Sequence, residues 1–307
     1  MNDNQQHNQG YDYWVKFASR CAVAVAVLLV SSKLWAWWLS SSASMLASAT
    51  DSILDVLASL SSFVILSYAL APADKEHRFG HGKAENLAAL MQASFVLGSA
   101  TLLVFHGSER MMSPHPITHS TLAISVSILA IILTLALVAV QKYVVNKTGS
   151  IAISADSLHY QSDLLLNAGV ILALLLSKFS YHYADGAFAV LVGVYLGYGS
   201  IKIAYHAVQD LLDRELDSDD RARIGRIIEA NEQVIGYHQL RTRQAGKVQH
   251  IQFHLELDDE LTLKQAHTIA DSVEQAIIAE YPFAEVLIHQ DPQSVVGSEQ
   301  NHHRFDR

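Results

Sequence analysis

The chain has 307 residues, 50% of them hydrophobic and only 17% charged, with a mean hydropathy of +0.19. Soluble domains carry about 25% charge, so this composition points to a membrane protein. A formal net charge of −9 without a basic run argues against a nucleic-acid partner, and the single cysteine, Cys21, excludes an internal disulfide and any Cys-rich zinc finger.

Residues 1–12 are polar and rich in Gln and Asn, and read as a disordered lead. A first membrane helix is expected from Trp14 to Leu39, ending in an aromatic belt of Trp35, Trp37 and Trp38. Those tryptophans, without a small-residue cleavage site, argue against a cleaved signal. A second helix is expected from Ser44 to Leu70, ended by Pro72 and the charged loop 73–82. Further helices are expected at about 83–111, 117–145, 150–179 and 187–212, separated by turns at 113–116, 146–149 and 181–186. Each is long enough for a bilayer span of about 20 residues, which makes 13–212 a domain of six transmembrane helices. Lys16, Arg20, Lys75, Arg78, Lys83, Lys142 and Lys147 fall on one side, against Arg110 and Lys178 on the other. That asymmetry places both termini in the cytosol.

From Asp213 the composition changes. Residues 217–231 read as an amphipathic helix with an acidic start, 237–243 and 248–257 as strands joined at Gly246, 262–280 as a helix and 285–290 as a third strand. In the second strand Ile251, Phe253, Leu255 and Leu257 alternate with His250, Gln252, His254 and Glu256, which predicts one buried and one polar face. Residues 213–292 are thus expected to form a small cytosolic αββαβ domain of the α+β class, and 293–307 a disordered tail.

Within the apolar part, Asp51 and Asp55 lie at i, i+4, and so do His159 and Asp163. This spacing puts each pair on one helix face. Carboxylates near mid-bilayer cost about 3 kcal/mol each on insertion scales, so they mark functional sites. Counting at ~1.5 Å per residue puts Asp51 and Asp163 at ~18 and ~20 Å above the cytosolic face, and Asp55 and His159 at ~12 and ~13 Å. Three carboxylates and one imidazole at matching depths suit a four-coordinate divalent cation such as Zn²⁺. Pairing with intramembrane lysines is the alternative, but Lys33 and Lys202 lie towards helix ends where lysine can snorkel to the interface. Asp156, one turn before His159, reads either as a guide for cations or as a solvated helix-start residue. An intramembrane metalloenzyme would need an open coordination position and a base, and the chain contains no His-Glu-x-x-His, so an enzyme is not expected.

Two further sets contain ligand types. Asp74, His77 and His81 lie together in the loop after the second helix. In the C-terminal part His254 falls on a polar strand face, His289 and Asp291 share a face at i, i+2, and His238 and His267 complete a candidate binuclear site.

Asp51-x-x-x-Asp55, Asp156-x-x-His159-x-x-x-Asp163, the six spans and the αββαβ domain resemble the cation diffusion facilitator family over residues 12–292. The resemblance implies a homodimeric antiporter of the bacterial inner membrane that exports Zn²⁺, with Cd²⁺ and Fe²⁺ as further candidate ions, in exchange for protons. It assigns Asp51, Asp55, His159 and Asp163 to the transport site, and Asp74, His77 and His81 to a loop site. His238, His254, His267, His289 and Asp291 are assigned to a cytosolic binuclear site, with Asp291 bridging. It further implies a salt bridge of Lys83 with Asp213 between the domains and a hydrophobic gate at Leu158. A membrane-anchored metal sensor that does not transport is the rival reading; it leaves the intramembrane carboxylates unexplained.

Overall fold

In a computed structural model, the described residues are 3–40, 43–112, 121–177 and 184–299. The turn expected at 113–116, residues 181–183 of the turn expected at 181–186, and the tail from 300 lie outside them, while 184–186 already belong to a helix. Contacts divide the chain into a unit Gly10–Val208 and a second unit that begins at Gln209.

The first unit consists of helices α1 (Asp3–Ser40), α2 (Ala43–Ala69), α3 (Lys83–Met112), α4 (Thr121–Thr148), α5 (Ile151–Ser177) and α6 (Ala184–Leu211). The helix α1 continues back to Asp3, which corrects the disordered lead expected at 1–12. Once a helix is nucleated, each added residue gains a hydrogen bond for one fixed φ/ψ pair, so a polar lead can extend it. Five helices among the described residues are long and apolar enough to cross a membrane: Gly10–Leu39, Ser48–Ala69, Lys83–Met112, Ser125–Thr148 and Gly186–Leu211. The sixth expected span, α5, is not among these five; the part of it with described side chains, 151–168, is the half that carries Asp156, His159, Gln161 and Asp163. The region is therefore a multi-pass, all-α membrane domain.

The helix α5 lies against α3 and α4, with α2 touching both α3 and α5. Its start is closely defined. Gly149 takes a positive φ of 69° and donates its N–H to Val145 O at 2.8 Å, which ends α4. Ser150 then caps α5 by accepting from Ile153 N at 3.3 Å, and its hydroxyl donates to Glu85 Oε1 at 2.5 Å. Glu85 also accepts backbone N–H groups of Ile151 and Ala152 and, at 2.9 Å, the Tyr11 hydroxyl. A carboxylate is well placed there, at the positive end of the α5 dipole. Further along, α3 and α6 approach through glycines: a Cβ on Gly193 would come within 2.9 Å of Ala100 O, and one on Gly107 within 2.8 Å of Gly186 O.

The second unit has α7 (Ser218–Glu229), β1 (Gly236–Ala245), β2 (Val248–Leu257), α8 (Leu263–Glu280), β3 (Ala284–Pro292) and α9 (Gln293–Glu299). The sheet order is β1-β2-β3, with β1 and β2 antiparallel and β2 and β3 parallel. A parallel neighbour requires a crossover, which α8 provides. That helix starts with a capping box between Thr262 and Gln265. Ile251, Phe253, Leu255 and Leu257 pack with Ile224, Ile228, Ile269, Val273 and Ile277 into one core, so the helices cover one sheet face. The other face carries the histidines. Residues 293–299 are helical rather than disordered: Val296 is buried, and Ser294 N donates to Asp259 Oδ1 at 3.0 Å.

Candidate metal centres

Helical spacing builds the first centre. The i, i+4 pair on α5 meets α2 so that ligand atoms of Asp55, His159 and Asp163 all lie within 4.8 Å of one another. His159 Nε2 is 3.3 Å from Asp55 Oδ1, yet this buried nitrogen has no aligned hydrogen bond. Two donors held ~2.0–2.1 Å from one tetrahedral ion stand about 3.3 Å apart, so the separation is compatible with both groups ligating one divalent cation. Asp51, one turn away on α2, is exposed and stands outside this three-residue cluster.

The surroundings of the centre hold His159 in place. Tyr160 is fully buried; its hydroxyl meets Ser59 Oγ at 2.7 Å and donates to Ala22 O at 3.2 Å, linking α5 to α2 and α1. Its ring stands edge-on to His159 with centroids 5.2 Å apart. Leu158, adjacent in sequence, packs instead among Val96, Ala100, Val192 and Leu196 of α3 and α6. Asp156 is buried, accepting from Gln141 Nε2 at 2.7 Å and Gln92 Nε2 at 3.4 Å. Of its two readings, the solvated helix-start residue is therefore excluded. Sequence reasoning passed over Gln92, Gln141 and Tyr160. Glutamines within apolar spans were the available signal, since intramembrane polar groups seek partners.

The second centre is in the loop 70–82. His81 Nε2 lies 3.3 Å from Asp74 Oδ2, and His77 Nδ1 lies 3.4 Å from Asp74 Oδ1. The two rings are 4.8 Å apart, with His81 also 4.3 Å from Tyr68. Backbone N–H groups of His77 and Glu76 donate to Asp74 Oδ1 at 2.6 and 2.8 Å. The N–H of His77 is the main reason the Asp74 carboxyl titrates below its ordinary range, and it keeps the group ionised for a cation. His81 is buried while Asp74 and His77 are exposed, so the centre opens to solvent.

Strand register builds the third. His238 pairs with His254 and His254 with His289, which aligns three imidazoles in one row across the sheet. Their centroids are 4.9 and 4.6 Å apart. Asp291, two residues beyond His289 and so on the same face, is buried and receives all three: His254 Nδ1 at 2.7 Å, His289 Nε2 at 3.1 Å and His238 Nε2 at 3.6 Å. A bulge between His238 and Arg241, where Gln239 adopts the left-handed φ of 51°, sets the angle at which β1 presents His238. Glu256, not foreseen from the sequence, meets His238 Nδ1 at 3.0 Å and fixes its ring. His267 is exposed on α8, in the helix layer on the other side of the sheet, and does not reach this row.

The remaining expected residues lie within separate units. Lys83 begins α3, and Asp213, at a left-handed φ of 58° after α6, pairs with Arg243 Nη1 at 3.2 Å.

Comparison with known proteins agrees with this geometry. The family model described as the cation efflux transmembrane domain matches residues 19–212, and the model for the cation efflux protein cytoplasmic domain matches 216–293. The chain is 54% identical over 285 residues to the cation-efflux pump FieF of Shewanella oneidensis, covering 93% of this chain and 96% of that protein. It is 47% identical over 293 residues to the cation-efflux pump FieF of Yersinia pestis, covering 95% and 98%. With three clusters of metal-ligand type on a multi-pass membrane fold, the chain belongs to the cation diffusion facilitator family, whose members are divalent-cation efflux transporters and not enzymes.

Proposed function

We propose that the chain is a Zn²⁺/H⁺ antiporter of the bacterial inner membrane, carrying zinc from cytosol to periplasm by alternating access. The observation that carries this reading is the convergence of Asp55, His159 and Asp163 between apolar helices. Imidazole and carboxylate donors suit Zn²⁺, and the same donors extend to Cd²⁺ and Fe²⁺. All six helices of the first unit span the bilayer in this reading. The lysine and arginine asymmetry supports cytosolic termini.

Proton exchange follows from ligand chemistry. Zinc requires a neutral imidazole and ionised carboxylates, so loading releases protons and protonation releases zinc. Asp51 is the fourth ligand, engaged when α2 shifts against α5. The loop centre would hold zinc at the cytosolic entrance. The cytosolic row would hold a binuclear zinc site in a homodimer, in which His267, unable to reach its own row, is available to the second copy. A membrane-anchored sensor is the second reading. The ready-made row around Asp291 favours it, but it gives Asp55 and Asp163 no task.

Proteoliposomes with an imposed pH gradient test the choice. Zinc flux that follows the gradient and disappears in His159→Ala supports the antiporter. Zinc binding without flux, in sealed vesicles holding folded protein, would move the sensor to the front.

A further inference from the structure

An ammonium group near the first centre has no role in the scheme above. Lys33 lies seven residues before the end of α1, just inside the belt of Trp35, Trp37 and Trp38. A lysine there is expected to extend outward to the interface. Instead Lys33 Nζ donates to Ser52 Oγ on α2 at 2.6 Å. Ser52 is buried and lies nine residues into α2, at a depth of ~14 Å by helical rise, whereas Lys33 starts at only ~10 Å. The head group is therefore directed inward, away from water.

An ammonium taken from water at such a depth is costly unless opposite charge is near. Ser52 follows Asp51 in sequence and stands one turn before Asp55 on the same side of α2. Lys33 also acts electrostatically on Asp163. One hydroxyl thus holds a fixed positive charge beside a site rich in carboxylates.

We propose that Lys33 is a tethered competitor for the transported ion: its ammonium offsets the carboxylates of Asp55 and Asp163 when no metal is bound, and repels the metal when it is. This rests on the reading of the first centre as the transport site and adds a residue that sets how readily the ion leaves. Ser52 is the anchor that keeps the ammonium beside the ligands. The opposite role, an ammonium that merely joins two helices, would leave zinc affinity unchanged.

The test is Zn²⁺ titration of the full-length chain in detergent against a chromophoric chelator. Each variant is compared with its Asp163→Ala derivative, so that only binding dependent on Asp163 is counted. Lys33→Met should tighten that binding about tenfold, the scale of one unit charge acting over several ångströms of protein. Lys33→Arg should keep wild-type affinity. Ser52→Ala, which frees the ammonium to extend to the interface, should also tighten binding, by less than Lys33→Met, a gain that a folding defect cannot imitate. Unchanged or weaker binding in folded Lys33→Met overturns the proposal, as does an equal shift in Lys33→Arg. If the wild type binds no Asp163-dependent zinc, the transport-site reading itself fails and takes this proposal with it.

Discussion

The helical centre and the sheet centre use the same donors, imidazole and carboxylate, but assemble them by different periodicities. At Asp55, His159 and Asp163 the ligands come from α2 and α5, whose contact rests on side-chain packing. Around Asp291 they come from three strands locked by a hydrogen-bonded ladder. Packed helices can slide or tilt without breaking their internal hydrogen bonds, whereas strands in register cannot move without losing the ladder between them. A centre that must take up and release its ion belongs between helices. One that must keep its ion belongs on a sheet.

The largest effect expected from this contrast is at Asp163. Asp163→Ala should lower proteoliposome zinc flux by more than about a hundredfold, beyond the 10–100-fold typical of residues that only support ligands. Retained flux would end the assignment of transport to the helical centre.

A smaller effect is expected from the sheet. Asp291→Ala should remove zinc from the cytosolic row, as counted by metal analysis, yet reduce flux by only about fivefold, the low end of coupling between separate sites. His238→Ala should act in the same direction and also weaken the proposed homodimer, measurable by light scattering of the detergent-solubilised chain. Abolished flux in either variant would erase the distinction between a moving and a holding centre.

Acid should affect both centres, because protonated imidazole cannot ligate. Lowering the pH should release bound zinc, because protons and metal compete for the same donors. Release that drives flux only when the helical centre is intact would sharpen the comparison further.

The smallest effect concerns the fold beneath the sheet. Burial, followed by the hydrogen bond to Asp220, raises the Tyr281 hydroxyl from 10.0 to about 12. A group raised in this way contributes stability below its unfolded value and loses it as pH climbs through the folded one. The wild type minus Tyr281→Phe absorbance titration should therefore show phenolate appearing near pH 12. Appearance near 10 would mean the Tyr281–Asp220 contact is absent in solution.

The two centres also differed in how far the sequence exposed them. The i, i+4 pairs were legible because helical periodicity is local, and the depth count paired Asp55 with His159 as found. It also paired Asp51 with Asp163, which the structure does not, since depth says nothing of rotation about a helix axis. The alternation in β2 put His254 on the polar face, but the row through His238 and His289 depends on register and on the bulge at Gln239, which only the pairing of strands reveals. Asp156, Gln92 and Gln141 come from three helices, and their contact is a tertiary fact. Lys33 shows the limit of position-based reasoning: snorkelling follows from distance to the interface, whereas the inward turn follows from a hydroxyl on another helix.

The cap on α5 carries one more consequence. Glu85, Ser150 and Tyr11 fasten the first turn of that helix to α3 and α1, so its N-terminal tip is the natural fulcrum. A rod pinned at one tip displaces each point in proportion to its distance along the shaft. From Ser150, His159 is ~13 Å away and Asp163 ~20 Å away at helical rise. One small swing would therefore carry the carboxylate about half as far again as the imidazole, opening the jaw unequally and loosening the outer ligand first.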